Sequence, residues 1–187
     1  YNMNPLTVTW PSILYTKYGH QNFLNWLEFG KFDNISASRN ENITKYLTKQ
    51  SIINLFHPFQ TFVLGQKIFP IKIAIKKKIP LVFYGENEAE HGNSLADNSV
   101  SIRKKSFYTR NNIDKIYLGG VKLKKILNEK KISIDDLQDY LPPTESEIGN
   151  FPLEIHYLGY FINWIPQETF YYSVENCGFR PRPFRTQ

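Results

Sequence analysis

A chain of 187 residues, 41% hydrophobic, holds enough apolar material to bury one substantial core. Its lone cysteine, Cys177, excludes an internal disulfide and a cysteine-built metal cage, and no apolar run approaches the length of a membrane span. The 23 Lys and Arg exceed the 17 Asp and Glu by 6, which suits an anionic ligand but is too small and dispersed an excess for a nucleic-acid surface. With no secretory signal at its start, the chain reads as cytoplasmic.

Along the chain, Leu6–Trp10 reads as a strand. Phe23, Leu24, Trp26, Leu27 and Phe29 then recur with helical spacing, and Gly30 stops that helix. Asp33–Ala37 is a short strand. Asn40 is placed to cap the next helix, which Pro58 ends. The amphipathic stretch 59–78 predicts a helix kinked or split at Pro70, with Lys76, Lys77 and Lys78 at its solvated end. Two short helices are expected at Val121–Leu127 and Ile134–Leu141, the second capped by Ser133. Thr144-Glu145-Ser146-Glu147 is a capping-box pattern for a third. Leu153–Ile162 reads as a strand, and Gln167–Asn176 as a last helix ended by Gly178.

Strands alternating with helices argue an α/β fold with a parallel sheet, in one domain spanning 1–187. Its centre is Ile79-Pro80-Leu81-Val82-Phe83-Tyr84-Gly85-Glu86-Asn87. The unbroken apolar run predicts a strand covered on both faces. It ends abruptly in Gly85, Glu86 and Asn87, and in open α/β sheets ligands bind beyond the strands' carboxyl ends. Gly85 permits close backbone approach, while Glu86 and Asn87 offer an anionic acceptor and an amide. A strand followed by an ordinary polar turn fits the same pattern. Residues 88–110 are polar enough to read as a lid or binding loop, and 111–150 as a helical insertion.

Gln60, Gln66 and Lys67 approach the central strand along its preceding helix. At that spacing, at most two of the three share a face. The histidines (His20, His57, His91, His156) form no ligand pair at helical spacing. His57 is expected to shape the turn at Pro58, and His91 is the histidine best placed to meet a ligand. Gly119-Gly120 lacks the flanking features of a phosphate loop.

Several motifs, in order, closely resemble the bacterial N-acetyl sugar amidotransferases. They are Leu6-Thr7-Val8-Thr9-Trp10, Leu55-Phe56-His57-Pro58-Phe59-Gln60, Gly65-Gln66-Lys67, Ile79 through Asn93, Tyr117-Leu118-Gly119-Gly120, Tyr140-Leu141-Pro142-Pro143 and Cys177-Gly178-Phe179-Arg180-Pro181. That family belongs to the PP-loop ATP pyrophosphatases. It includes enzymes assigned to pseudaminic-acid flagellin modification and to the amidino sugars of lipopolysaccharide O-antigen.

The resemblance implies a HUP-type, five-stranded parallel sheet with ATP at the strands' carboxyl ends. ATP and Mg²⁺ would be the cofactors, and an N-acetylated sugar or sugar nucleotide the acceptor. A separate glutaminase subunit would supply ammonia. Adenylylation of the amide oxygen followed by attack of ammonia would leave an acetamidino group. It implies Glu86 and Glu90 in catalytic roles, Gly85, Asn87, Gln66 and Lys67 at the nucleotide, and Gln60, His91 and Asn93 at the substrate, with no metal ligand assigned.

The family's Ser-Gly-Gly-x-Asp-Ser loop and its first strand have no match between Tyr1 and Gln187. This stretch is therefore expected to be a segment lacking the sheet's central member, and inactive alone. Other PP-loop chemistry, such as carboxylate amidation or thiolation, and a non-catalytic partner are the alternative readings.

Overall fold

The computed structural model describes residues 4–12, 15–85, 100–129 and 132–183. The fold is mixed α/β with small parallel sheets.

The first unit is β1 (Leu6–Thr9), α1 (Lys17–Gly30) and β2 (Asp33–Ser36), with β2 parallel to β1 and Leu6 opposite Asp33. A helix can begin as early as Lys17 because the Thr16 side chain accepts from the Gly19 N–H. Gly30 ends it for a reason other than its own freedom: Lys31 takes the left-handed conformation, and a side chain on Gly30 would collide with the Phe32 ring. Leu24, Trp26 and Phe29 remain exposed on α1.

Next come α2 (Glu41–Leu55) and α3 (Gln60–Lys77). Asn40 caps α2 as expected, accepting from Asn42 N and Ile43 N. His57 shapes the turn between the helices through a 3.2 Å bond from Phe59 N to its Nδ1. Pro70 does not split α3, which runs unbroken through it. One missing donor is a local loss, and buried Ile68 and Ile71 on either side pin the helix in place. Lys76 and Lys77 occupy its exposed last turn and Lys78 its left-handed cap.

β3 (Leu81–Tyr84) leads into the second half, which holds β4 (Tyr117–Leu118), β5 (Val121–Lys122), α4 (Leu123–Glu129), α5 (Glu145–Ile148), β6 (Glu154–Tyr157) and α6 (Pro166–Asn176). The expected helix from Val121 begins instead at Leu123, because Val121 and Lys122 pair with β4. Gly119 and Gly120, with φ of 60° and 75°, make the two-residue turn that such a hairpin needs. Asp135–Tyr140 is a 3₁₀ helix rather than an α-helix. Ser133 meets it as expected, accepting from Asp136 N at 3.2 Å. The last strand stops at Tyr157, where a 3₁₀ turn over Leu158–Tyr160 replaces the expected extension.

β6 pairs parallel with β3, Val82 opposite Ile155. The expectation that β3 is covered on both faces is corrected. Val82 and Ile155 are buried with Ile71, Ala74, Tyr108, Ile148 and Leu153, whereas Leu81 and Phe83 are 46% and 49% exposed on the other face. An unbroken apolar run does not distinguish a strand buried twice from one buried once. A second core gathers Trp10, Leu47, Leu118, Leu123, Ile126, Leu137, Tyr140 and Leu141.

Helix α3 joins the two halves. Its Phe62, Leu64 and Phe69 pack on the core around Trp10, and its Ile71 and Ala74 belong to the core around Val82. At the start of β3, Ile79 N bonds Ala74 O; at its end, the Tyr84 hydroxyl donates to Lys67 O. Trp10, just beyond β1, sits on Gly65 and Phe69. Both strands therefore end over the N-terminal half of α3. The two parallel pairs do not join among the described residues, and the outer edge of β6 is taken by Ile102 and Arg103.

The capping box is present: Thr144 Oγ1 accepts from Glu147 N, and the Glu147 carboxylate accepts from Thr144 N at 2.6 Å. That backbone bond, chiefly, holds the Glu147 carboxyl below its ordinary value of 4.5. A depressed folded pKa adds stability that is complete above the unfolded value and is lost as pH falls through the folded one. Denaturant unfolding followed below pH 5 should therefore show a loss that Glu147→Gln removes. Equal acid slopes in both proteins would refute the box as its source.

Candidate functional site

The site begins where β3 ends. Parallel pairing with Tyr84 opposite Tyr157 brings the carboxyl ends of β3 and β6 side by side, and the two rings stack at 5.4 Å. Tyr84 is fixed from the other side by its bond to the Lys67 carbonyl. Gly85 follows directly and is exposed. It does not adopt positive φ, and among the described residues an added Cβ would meet nothing within 4 Å. Neither backbone angle nor a described neighbour therefore requires glycine there, and the space is open to a ligand's close approach.

Glu86, Asn87, Glu90, His91 and Asn93 lie outside the described residues. Of the α3 positions, Lys67 is brought to the end of β3 through its carbonyl, and Gln66 lies beside it on the helix. Gln60 is used elsewhere. Its Oε1 accepts from Gly119 N, while Asn54 Nδ2 donates to Gly119 O at 3.0 Å, so these two side chains clamp the glycine turn against the helices. This agrees with the spacing argument that the three cannot share one face.

Two residues outside the sequence-derived candidates also meet at this strand end: Tyr157, the last residue of β6, and Arg103, from the polar stretch that follows β3. Arg103 is 9% exposed, its guanidinium carbon 4.6 Å from the Phe107 ring centre and 5.6 Å from that of Tyr157. The alternating pattern of the last strand marks Tyr157 as facing with Ile155; nothing local marks Arg103.

At the end of β1, Trp10 is buried with its ring against Phe69 and Tyr140, and Arg39 lies 5.8 Å over it. Its indole Nε1 has no hydrogen-bond partner among the described residues. His156 is buried between Phe83 and Phe161, with Nε2 3.2 Å from the Glu154 carboxylate, a hydrogen-bonded histidine within the sheet. No helix among the described residues is long and apolar enough to cross a membrane. No protein-family model matches the chain, and none of the curated proteins searched matches it.

Proposed function

We propose that this chain forms the sheet flank, the ligand-binding strand and the lid of an ATP-dependent amidotransferase. It converts an acetamido group of a bacterial surface sugar into an acetamidino group. The observation that carries the reading is the convergence of the β1 and β3 carboxyl ends on the N-terminal half of α3. Tyr84, Gly85 and the Gln66–Lys67 step of α3 stand at that place. Parallel strands ending together is the arrangement in which α/β sheets take nucleotides.

The fold proposed is a HUP-type sheet in which a further parallel strand lies between β1 and β3. Support comes from the unjoined pairs and their common brace, α3. Among the described residues the edges of β1 and β3 away from their partners are unpaired, which a two-stranded parallel sheet rarely tolerates. In this reading that strand, with its pyrophosphate-binding loop, comes from outside residues 1–187.

The chain's net charge of +6 suits an anionic nucleotide, and Lys67 is the cationic residue whose backbone stands at this strand end. ATP, when bound, supplies an AMP leaving group to the amide oxygen, since an amide carbonyl is a poor electrophile until that oxygen can depart. The chain's own share is to present the Gly85 backbone to the ligand, with Glu86 and Glu90 as its catalytic carboxylates. The carboxylates available to Mg²⁺ belong to residues 86–90, outside the described part of the molecule.

The test is an acceptor assay on the full-length enzyme with ammonia supplied directly. AMP and pyrophosphate release should depend on an acetamido sugar. Glu90→Gln should lower turnover about a hundredfold, within the range of a general acid–base group. His91→Phe should change it only a few-fold. Release that follows a carboxylate or a nucleobase instead would overturn the reading.

A further inference from the structure

We infer that Arg39 is an oxyanion-recognising residue at the carboxyl ends of β1 and β2, a role that rests on the ligand-binding reading of the strand ends. Its position follows from the pairing of those strands. The ladder runs one step past β2, where Ala37 N donates to Thr9 O at 3.0 Å, and Trp10 and Arg39 follow on the two strands. The Arg39 guanidinium carbon lies 5.8 Å over the Trp10 ring, and its Nη2 donates to Ser12 O at 3.0 Å. Trp10 is a fixed platform, its ring held against Phe69 and Tyr140, and Tyr140 is itself hydrogen-bonded to Thr44 at 2.8 Å. The same ring sits on Gly65 of α3, the helix whose Lys67 carbonyl holds Tyr84 at the end of β3. Arg39 therefore stands at the β1–β2 side of the proposed ligand site.

This guanidinium is positioned by a ring and a backbone carbonyl, and no carboxylate among the described residues forms an ion pair with it. The crevice beneath it, lined by Trp10, Thr44, Thr61 and Tyr140, has no room for a water-sized group, so an anion meets half-buried Arg39 from its open side. Asn40 already accepts from Asn42 N and Ile43 N at the start of α2, and recognition falls to the guanidinium rather than to the helix end. A guanidinium held on a ring presents its donors in one plane, and two parallel N–H groups match two oxygens of a phosphate or a carboxylate. Lysine keeps the charge but not the fork. The ligand oxyanion is either a phosphate of the nucleotide or the carboxylate of an acidic sugar; both present the same pair of oxygens.

Calorimetric titration of the full-length enzyme separates these sources. The probes are ATP, glucuronate and the neutral N-acetylglucosamine, each run against wild type, Arg39→Met and Arg39→Lys, with thermal melts in parallel. The expected result is binding of at least one anionic probe by the wild type, weakened at least tenfold by Arg39→Met and several-fold by Arg39→Lys. The melt of Arg39→Lys should stay close to wild type, and affinity for the neutral sugar should not change. Selective loss of ATP identifies the phosphate; selective loss of glucuronate identifies the carboxylate. Unchanged affinity for both anions in Arg39→Met, or no anionic probe bound by the wild type, overturns the assignment. Equal weakening of the neutral and anionic probes overturns it as well, and Arg39→Lys binding as well as wild type overturns the two-oxygen contact. An arginine that only clasps Ser12 would lower the melt of both variants and leave the affinity of the folded fraction intact. Failure of the acceptor assay with these binding results standing would count against the amidotransfer chemistry and not against Arg39.

Discussion

Gly65→Ala should destabilise the protein, although alanine is the better helix former. Position 65 lies inside α3, where replacing glycine gains about 1 kcal/mol of helix propensity. The added Cβ, however, would lie within the indole of Trp10, a ring 7% exposed and held by Phe69 and Tyr140. A ring packed on both sides cannot swing away, and overpacking of this kind costs roughly 1–3 kcal/mol or more. The second effect wins, for an expected net loss of about 1–2 kcal/mol in urea unfolding, with Gly65→Val worse. A stabilised Gly65→Ala protein would mean that Trp10 does not rest on α3, and the placement of β1 would fall with it.

Gly85→Val is the counterpart, with the large effect on binding instead of folding. Gly85 does not adopt positive φ, and its missing side chain meets nothing among the described residues, so those residues accept valine with little strain. What valine blocks is the approach of a ligand to the backbone at the end of β3. On the proposed function, ATP affinity should fall at least a hundredfold while the melting temperature moves little. A mutant that binds ATP as well as wild type would remove Gly85 from the site. One that unfolds would show that the open space is filled in the working protein.

Residue patterns carried the elements further than they carried the faces. Asn40, Thr144 and Ser133 announced their helices because a capping side chain acts within three residues, and such local chemistry is written in the sequence. Leu81 and Phe83 misled because a run of apolar residues records what a strand is able to bury, whereas its neighbours decide what it does bury. Of the two outcomes expected at Pro70, a kink or a split, the split does not occur: α3 continues through it, with Ile68 and Ile71 buried on either side. The hairpin that turns at Gly119 and Gly120 was hidden because its second strand, Val121 and Lys122, fell inside an expected helix, and two-residue strands leave almost no periodic signal.

The candidate site was legible to a lesser degree. The break after Tyr84 located the strand end, and Lys67 does meet it, but through its carbonyl rather than by any side-chain pattern. Gln60 belongs to the hairpin clamp, a partnership across 59 residues that spacing along one helix does not reveal. Arg103 is placed by a bridge to β6 and by rings distant in sequence, and tertiary contacts of that kind leave no trace in a single chain read locally.

The central claim is that β1 and β3 are inner strands of one sheet whose middle place belongs to a further strand. Chemical unfolding of residues 1–187 alone, followed by circular dichroism at several protein concentrations, tests it most directly. With the edges of β1 and β3 unpaired among the described residues and Leu81 and Phe83 exposed, the transition should be broad and concentration-dependent, with self-association at micromolar levels. A sharp, concentration-independent transition of a monomer would contradict the claim, because such a chain would need no further strand to complete its sheet.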